Sequence, residues 1–299
     1  MATTVGVLHP GEMGAVVGEC LRAAGARVVW PSAGRSQATS RRAAAAGLED
    51  LGSPAAVVQA SHVILSVCPP GAAMDVARLV AAARFGGLFV DANAVAPATV
   101  RALGETVGAA GADLVDGGII GPPPRKPGTT RLYLSGPRAG EVADLFKGSA
   151  LETVLMPGDV GTASALKMAY AAWTKGSSAL LLAVRALAIR EGVDTALLAE
   201  WERSQPGLGA RSEAAVAANA PKAWRFVGEM EEIARSFAAA GLPSGFHEAC
   251  AAVYRRLDRY KDAPAAPPIT EVADALGSRA TDPPRSRTGG RRSRPGPAG

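Results

Sequence analysis

Lys167 lies in the run GDVGTASALKMAYAAWTK, where helical spacing puts Lys167, Tyr170, Ala171 and Thr174 on one face (i, i+3, i+4, i+7). A lysine on the apolar face of an alanine-rich helix must be paired, hydrated or functional, or its stem must carry the ammonium out to water. Burial would bring its pKa down from about 10.4 towards the working range, where it can give a proton to a substrate oxygen or take one from it. Ala163, Leu166 and Ala171 around it are apolar, so Tyr170 is the side chain placed to assist.

A second constellation opens the chain, VGVLHPGEMGAVVGECLRAAGARVVW. An apolar run meets a turn holding Gly11 and Gly14, then an amphipathic segment, then Val28 and Val29. Strand, glycine turn, helix and strand form the opening unit of a dinucleotide-binding domain. Gly11 lets the backbone approach a pyrophosphate, Gly14 lets helix and strand pack closely, and the free N–H groups of the helix start face negative charge. Glu12 and Met13 lie between the glycines and belong to the same candidate cofactor site. The usual G-x-G-x-x-G begins with glycine; here that position is His9.

Other segments add candidates. After the second strand, WPSAGRSQATSRR holds no acid for ribose hydroxyls. Ser32, Arg35 and Ser36 can instead meet a 2′-phosphate, favouring NADP(H) over NAD(H), unless the stretch is only a solvated polar loop. In SVCPPGAAM, Val67, Cys68 and Pro69 follow a strand end and can line the ribose by backbone contact. Cys68 has no base paired with it in sequence, which speaks against a nucleophile. In DANAVAP, Asn93 can bind ribose or the nicotinamide amide, or serve structure; Asp91 can cap the helix after Pro97 or brace the loop. DGGIIGPPPRKPGTT reads as a rigid loop whose backbone donors near Gly118 and Gly121 face a substrate, or else as a stiff surface turn. Glu229, with Lys222, Trp224 and Arg225 nearby, can reach a pocket, as can Gln205, Arg211 and His247; packing or surface charge is the plainer reading of each.

The elements that must position these residues fall into two kinds. Up to about residue 157 short apolar strands alternate with helical stretches: His62 to Ser66, Leu88 to Asp91, Leu114 to Asp116, Leu132 to Leu134 and Thr153 to Leu155 read as strands. This predicts an α/β fold, a Rossmann-type doubly wound, mostly parallel sheet over residues 1–157. Residues 158–262 predict an all-helical substrate and dimerisation domain, opening with one long helix from Gly161 to Gly192. From Ala263 the tail carries six Arg against Glu271, Asp274 and Asp282, with PAAPP, DPPRSR and GGRRSRPGPAG. Its composition predicts disorder over 263–299, and with this charge set aside the body is near neutral. No nucleic-acid partner is therefore expected. No apolar run spans a membrane and no leader precedes the first strand. Cys20, Cys68 and Cys250 are far apart and the histidines lack ligand spacing, so neither disulfide nor metal is expected, and the cytoplasm is the expected compartment.

On these motifs the chain resembles the β-hydroxyacid dehydrogenase superfamily, which includes 6-phosphogluconate dehydrogenase and, more distantly, imine reductases, over about residues 5–260. In particular it is similar to a bacterial branch of NAD(P)-dependent oxidoreductases with a divergent phosphogluconate-dehydrogenase-like C-terminal domain. The family glycine motif falls on HPGEMG, matching at Gly11, Met13 and Gly14. The D-x-S-T-x-x-P motif falls on DANAVAP, with Asn93 and Ala94 in place of Ser and Thr. The substrate motif falls on DGGIIGP, matching Asp116 and Gly121, with Ile120 where the family has a substrate-binding Ser. The catalytic G-x-G-x-x-x-K-x-x-x-N motif matches Gly161 and Lys167; Ala171 takes the Asn position and Tyr170 that of a catalytic-site His. A family lysine falls on Glu229.

The resemblance implies an NADPH-dependent oxidoreductase moving hydride between nicotinamide and a small hydroxy or keto substrate, with Lys167 as proton donor or acceptor. Gly118, Ile120, Gly121, Thr174 and Glu229 would stand at the substrate. It also implies a homodimer, with the long helix contributing to the partner's site. The alternatives are an imine reductase, against which Lys167 would repel a cationic iminium, and a non-catalytic NADP-binding sensor. Substrate, direction and any decarboxylation do not follow from these residues.

Overall fold

The computed structural model describes residues 2–261, 263 and 265–277. The first half alternates β1 (Thr4–Val7), α1 (Glu12–Ala23), β2 (Arg27–Trp30), α2 (Gln37–Ala45), β3 (Glu49–Asp50), α3 (Pro54–Ala60), β4 (Val63–Ser66), α4 (Ala73–Ala82), β5 (Leu88–Asp91), α5 (Pro97–Gly108) and β6 (Asp113–Ile120). β7 (Arg131–Ser135), α6 (Ala139–Asp144) and β8 (Glu152–Leu155) complete it. The eight strands form one sheet in the order β3-β2-β1-β4-β5-β6-β7-β8, parallel except where β6 meets β7. The α/β doubly wound architecture expected from the alternating pattern is the one observed. β1, β4 and β5 are buried along their whole length because helices cover both faces of the sheet. One apolar cluster, around Val5, Val7, Val28 and Leu132, lies under α1, α2 and α6. A second, around Ile64, Phe89 and Leu103, lies under α3, α4 and α5.

The strand order reverses between β1 and β4, the two neighbours whose crossovers leave in opposite directions. That switch point opens a crevice at the strand carboxyl ends. The glycine turn after β1 and the Val67–Pro69 loop after β4 both border it.

β6 departs from expectation. The DGGII segment expected in a rigid loop is strand through Ile120, and only from Gly121 does a loop begin. The antiparallel partner β7 pairs with it from Asp116↔Ser135 to Ile120↔Arg131. Pairing with a neighbouring strand outweighs the two glycines' low strand preference. The polar stretch after Ser36 is helix α2, with the Ser36 hydroxyl accepting the Thr39 amide as its N-cap.

The second half is helical throughout the described residues: α7 (Thr162–Arg190), α8 (Asp194–Ser204), α9 (Leu208–Asn219), α10 (Ala223–Ala239), α11 (Gly245–Arg255) and α12 (Ile269–Gly277). α7 is the spine. Its buried Ala171, Ala179 and Leu182 pack with Met230, Ile233, Tyr254 and Val272. Buried Arg185 ties α7 to α8 and α9 through Asp194, Ser212 and Glu213. Helix α12 corrects the expected disorder of the tail from residue 263. Val272, Ala273, Ala275 and Leu276 are an apolar stripe buried against α7. Proline- and arginine-rich flanks masked this short amphipathic segment in a composition average. The arginine-rich residues 278–299 lie outside the described residues. Among the described residues no helix is long and apolar enough to cross a membrane.

Candidate active site

The site is built where β6 meets the start of α7. The buried Asp116 carboxylate accepts from Gly161 N (2.9 Å), Ser164 N (3.0 Å), Ser164 Oγ (2.6 Å) and Ser135 Oγ (2.9 Å). It satisfies orphan amides of the α7 N-terminus, and its negative charge suits that end of the helix dipole. Gly161 precedes the helix at φ +106°, a conformation that favours glycine. One strand position beyond Gly117, Gly118 lets α7 approach: a Cβ would stand 2.9 Å from Ala163 O and 3.2 Å from Lys167 Cβ.

β5 pairs with β6 only as far as Asp91↔Asp116. Beyond that point Lys167 takes over on β6, its Nζ donating to Ile119 O at 2.7 Å. Burial first, then the nearby Lys175 ammonium, bring the Lys167 pKa down to about 8, against the opposing pull of the Glu229 carboxylate. Lys175 Nζ and Glu229 Oε2 form an ion pair at 2.7 Å, both largely shielded from solvent. Lys175 also sits 4.9 Å over the Phe226 ring. Thus α7 supplies two ammoniums and α10 one carboxylate.

Lys175 has no place among the residues the sequence singles out, because the Lys167 face was followed only to Thr174; the lysine one position further is the visible signal. Glu229 is the counter-ion of Lys175. Tyr170 is 47% exposed and makes no side-chain hydrogen bond with Lys167. Thr174 turns its hydroxyl back to Tyr170 O. Gly118 and Ile120 are strand residues rather than loop donors, and Gly121, at φ +129°, begins the loop.

At the crevice, a Cβ on Gly14 would collide with His9 O, while one on Gly11 would meet no atom within 4 Å. The turn is therefore tight beneath and open above, which leaves room for a phosphate. His9 Nδ1 and Arg35 Nε are buried and without a hydrogen-bond partner in the protein. Burial and then the Arg35 charge push His9 down to about 4. Open space over glycine and orphaned nitrogens beside it fit the phosphates of a dinucleotide. Met13 packs into the sheet core, and Glu12 meets Arg225 of α10 at 3.4 Å. Ser32 N donates to Asp50 Oδ1 (3.1 Å), and the Ser36 hydroxyl is occupied as a helix cap.

Of the two readings of Asn93, the structural one describes its contacts. Its Oδ1 accepts Cys68 N (2.6 Å), and its Nδ2 donates to Ser66 Oγ (2.9 Å) and to Asp91 Oδ1. It thereby fixes the loop Val67–Pro69, whose Cys68 N–H is used in the process. Asp91 braces Asn93 rather than capping α5; burial, with help from Asp116 and Glu232, pushes it up to about 7 against those Asn93 hydrogen bonds. The cap of α5 comes from Glu232 on α10, which accepts Ala96 N and Thr99 Oγ1, each at 2.8 Å. This tie between the sheet and the helical half had no sequence signal. Burial and then Asp91 push the Cys68 thiol up to about 12, which keeps it in the poorly nucleophilic neutral form. His247 packs against Phe237 and Phe246. Among the described residues no cluster of His, Cys, Asp and Glu could hold a metal.

Comparison with known proteins adds the following. Residues 4–140 match the family model of the NAD binding domain of 6-phosphogluconate dehydrogenase, and residues 188–257 match a domain family of unknown function. An uncharacterized 28.5 kDa protein of Methanothermus fervidus is 30% identical over 177 residues, a match spanning 58% of this chain and 66% of that relative. A solved conserved protein of unknown function, reported as structurally similar to 3-hydroxyacid dehydrogenases, is 27% identical with a TM-score of 0.61, covering 86% of this chain and 97% of its own. The 3-hydroxyisobutyrate dehydrogenase of Mycobacterium tuberculosis, solved with L-serine, shares the fold at 18% identity and a TM-score of 0.65, over 93% of this chain and 100% of its own.

Proposed function

We infer that this chain, whose residues 4–140 belong to the family of 6-phosphogluconate dehydrogenase NAD-binding domains, is an NAD(P)-dependent oxidoreductase acting on a CH–OH or carbonyl group of a small hydroxy or keto substrate. The observation that carries this reading is Lys167, a half-buried ammonium with its pKa brought down to about 8, held on Ile119 O near the end of β6. The glycine turn, with Gly11 and Gly14, would seat the pyrophosphate, and Arg35 would favour NADP(H) over NAD(H) by meeting a 2′-phosphate. Bound nicotinamide supplies or accepts the hydride.

The chain's own part is the proton and the orientation. Lys167 gives a proton to the substrate oxygen in reduction and removes it in oxidation. Ile119 O and the close packing at Gly118 hold the ammonium in one place, so little ordering is left for the reaction itself. The Lys175–Glu229 pair lies close enough for both its charges to act on Lys167. Two ammoniums against one carboxylate leave this three-group cluster net positive, which suits an anionic substrate and opposes the cationic iminium of an imine reductase. Tyr170, being exposed, plays at most a supporting part from this subunit.

On α7, Trp173, Leu180 and Leu187 recur every seven residues and are 70%, 49% and 62% exposed. An uncovered stripe of this kind suits a second copy of the chain, and a homodimer is part of the proposal. The test is absorbance at 340 nm for purified protein with NADPH or NADP and a panel of small hydroxy and keto acids. Turnover with a member of the panel is expected. Tight NADPH binding with no turnover on any member would favour a sensor instead.

A further inference from the structure

His9 stands where the dinucleotide turn ordinarily has its first glycine, and nothing in the backbone explains the exchange. Its carbonyl already accepts Gly11 N at 2.8 Å and sets the closeness of Gly14. The side chain is the part left unused, since its Nδ1 is buried and unpartnered. A buried polar atom left without a partner is uncommon enough to require a reason. Arg35 Nε is in the same condition, and it comes from a different segment, the loop between β2 and α2. β1 and β2 are adjacent parallel strands, so His9 and Arg35 leave neighbouring strand ends on the same side of the sheet. The Arg35 charge acts both on His9, after β1, and on Cys68, after the neighbouring strand β4.

We propose that His9 is a second ligand, beside Arg35, for the phosphate on the adenosine end of the cofactor. The proposal rests on the NADP(H) reading and deepens it. An anion lying between an imidazole and a guanidinium satisfies both orphaned nitrogens at once, and hydrogen bonds to a charged phosphate are the stronger kind. Its negative charge also opposes the facing cation that helps to hold His9 neutral. A neutral ribose hydroxyl does neither.

The test is calorimetric binding of NADPH, NADH and 2′,5′-ADP to the full chain and to His9→Gly, His9→Gln and Arg35→Ala, with thermal melts as a folding control. His9→Gly restores the ordinary turn residue, so the ratio of NADPH to NADH affinity is the readout rather than either alone. We expect His9→Gly to weaken NADPH and 2′,5′-ADP about 5- to 20-fold, in line with loss of one hydrogen bond to a charged group, and to leave NADH within about 2-fold. His9→Gln, which keeps a donor, should recover part of the loss. An unchanged NADPH-to-NADH ratio in His9→Gly, with that ratio falling in Arg35→Ala, overturns the role of His9 alone. Equal NADPH and NADH affinity in the unaltered chain, or equal loss of both in Arg35→Ala, overturns the NADP(H) reading and the proposal with it.

Discussion

The Asp116 carboxylate receives both the hydroxyl and the amide of Ser164, at 2.6 and 3.0 Å, so one buried side chain at the middle of β6 fixes the first turn of α7. Lys167 follows Ser164 by three residues and returns to the same strand at Ile119 O. Strand and helix are joined on both sides of Gly118, and the candidate proton donor is placed by that double join.

Asp116→Ala should therefore cost stability as well as function. It leaves the Gly161 and Ser164 amides without their acceptor in a buried place. A loss of about 2–4 kcal/mol is expected by urea titration, the cost of a missing cap plus unsatisfied buried donors. A loss under about 0.5 kcal/mol would mean that α7 is positioned by packing alone.

The ionisation of Lys167 gives a direction for pH. With its pKa near 8, reduction, which needs the ammonium, should fall as pH rises through about 8, and oxidation, which needs the free amine, should rise over the same interval. Lys175→Met removes a like charge and leaves Glu229 acting on Lys167, so both limbs should move to higher pH. Glu229→Gln should move them down. Limbs that stay in place in both variants would detach the pair from Lys167.

Helix α12 makes truncation informative. A chain ending at Lys261 loses the buried Val272, Ala273, Ala275 and Leu276 and bares the face of α7 beneath them. Each larger side chain is worth about 1.5–3 kcal/mol when buried, so the melting temperature should drop by several degrees relative to a chain ending at Gly277. Equal melting temperatures would show that α12 does not dock in solution.

The sheet and the long helix were legible because each rests on a local period: β-branched runs such as Val63–Ser66, and an alanine-rich repeat through Arg190. The glycine turn was legible because its residues act through their own backbone. What the sequence concealed is made by residues far apart in the chain. Glu232 caps a helix 136 positions earlier, and Glu229 meets Lys175 across two helices. Asn93 looked equally suited to ligand and to structure, and its three partners, from Ser66, Cys68 and Asp91, were not visible in the sequence. β6 was read too short because two glycines mask a strand that its neighbours enforce.

The central claim is that Lys167 moves the proton in a nicotinamide-linked redox reaction. Lys167→Met keeps the length and apolar stem and removes only the amine. On the substrate identified by the 340 nm screen, kcat should fall by about 10²–10⁴-fold, the usual worth of a general acid or base. NADPH affinity should stay within a few-fold, and a thermal melt should show the variant still folded, with any loss limited to the Ile119 hydrogen bond. A Lys167→Met protein that turns over its substrate near the unaltered rate would contradict the account and move the proton role to another group in the cleft.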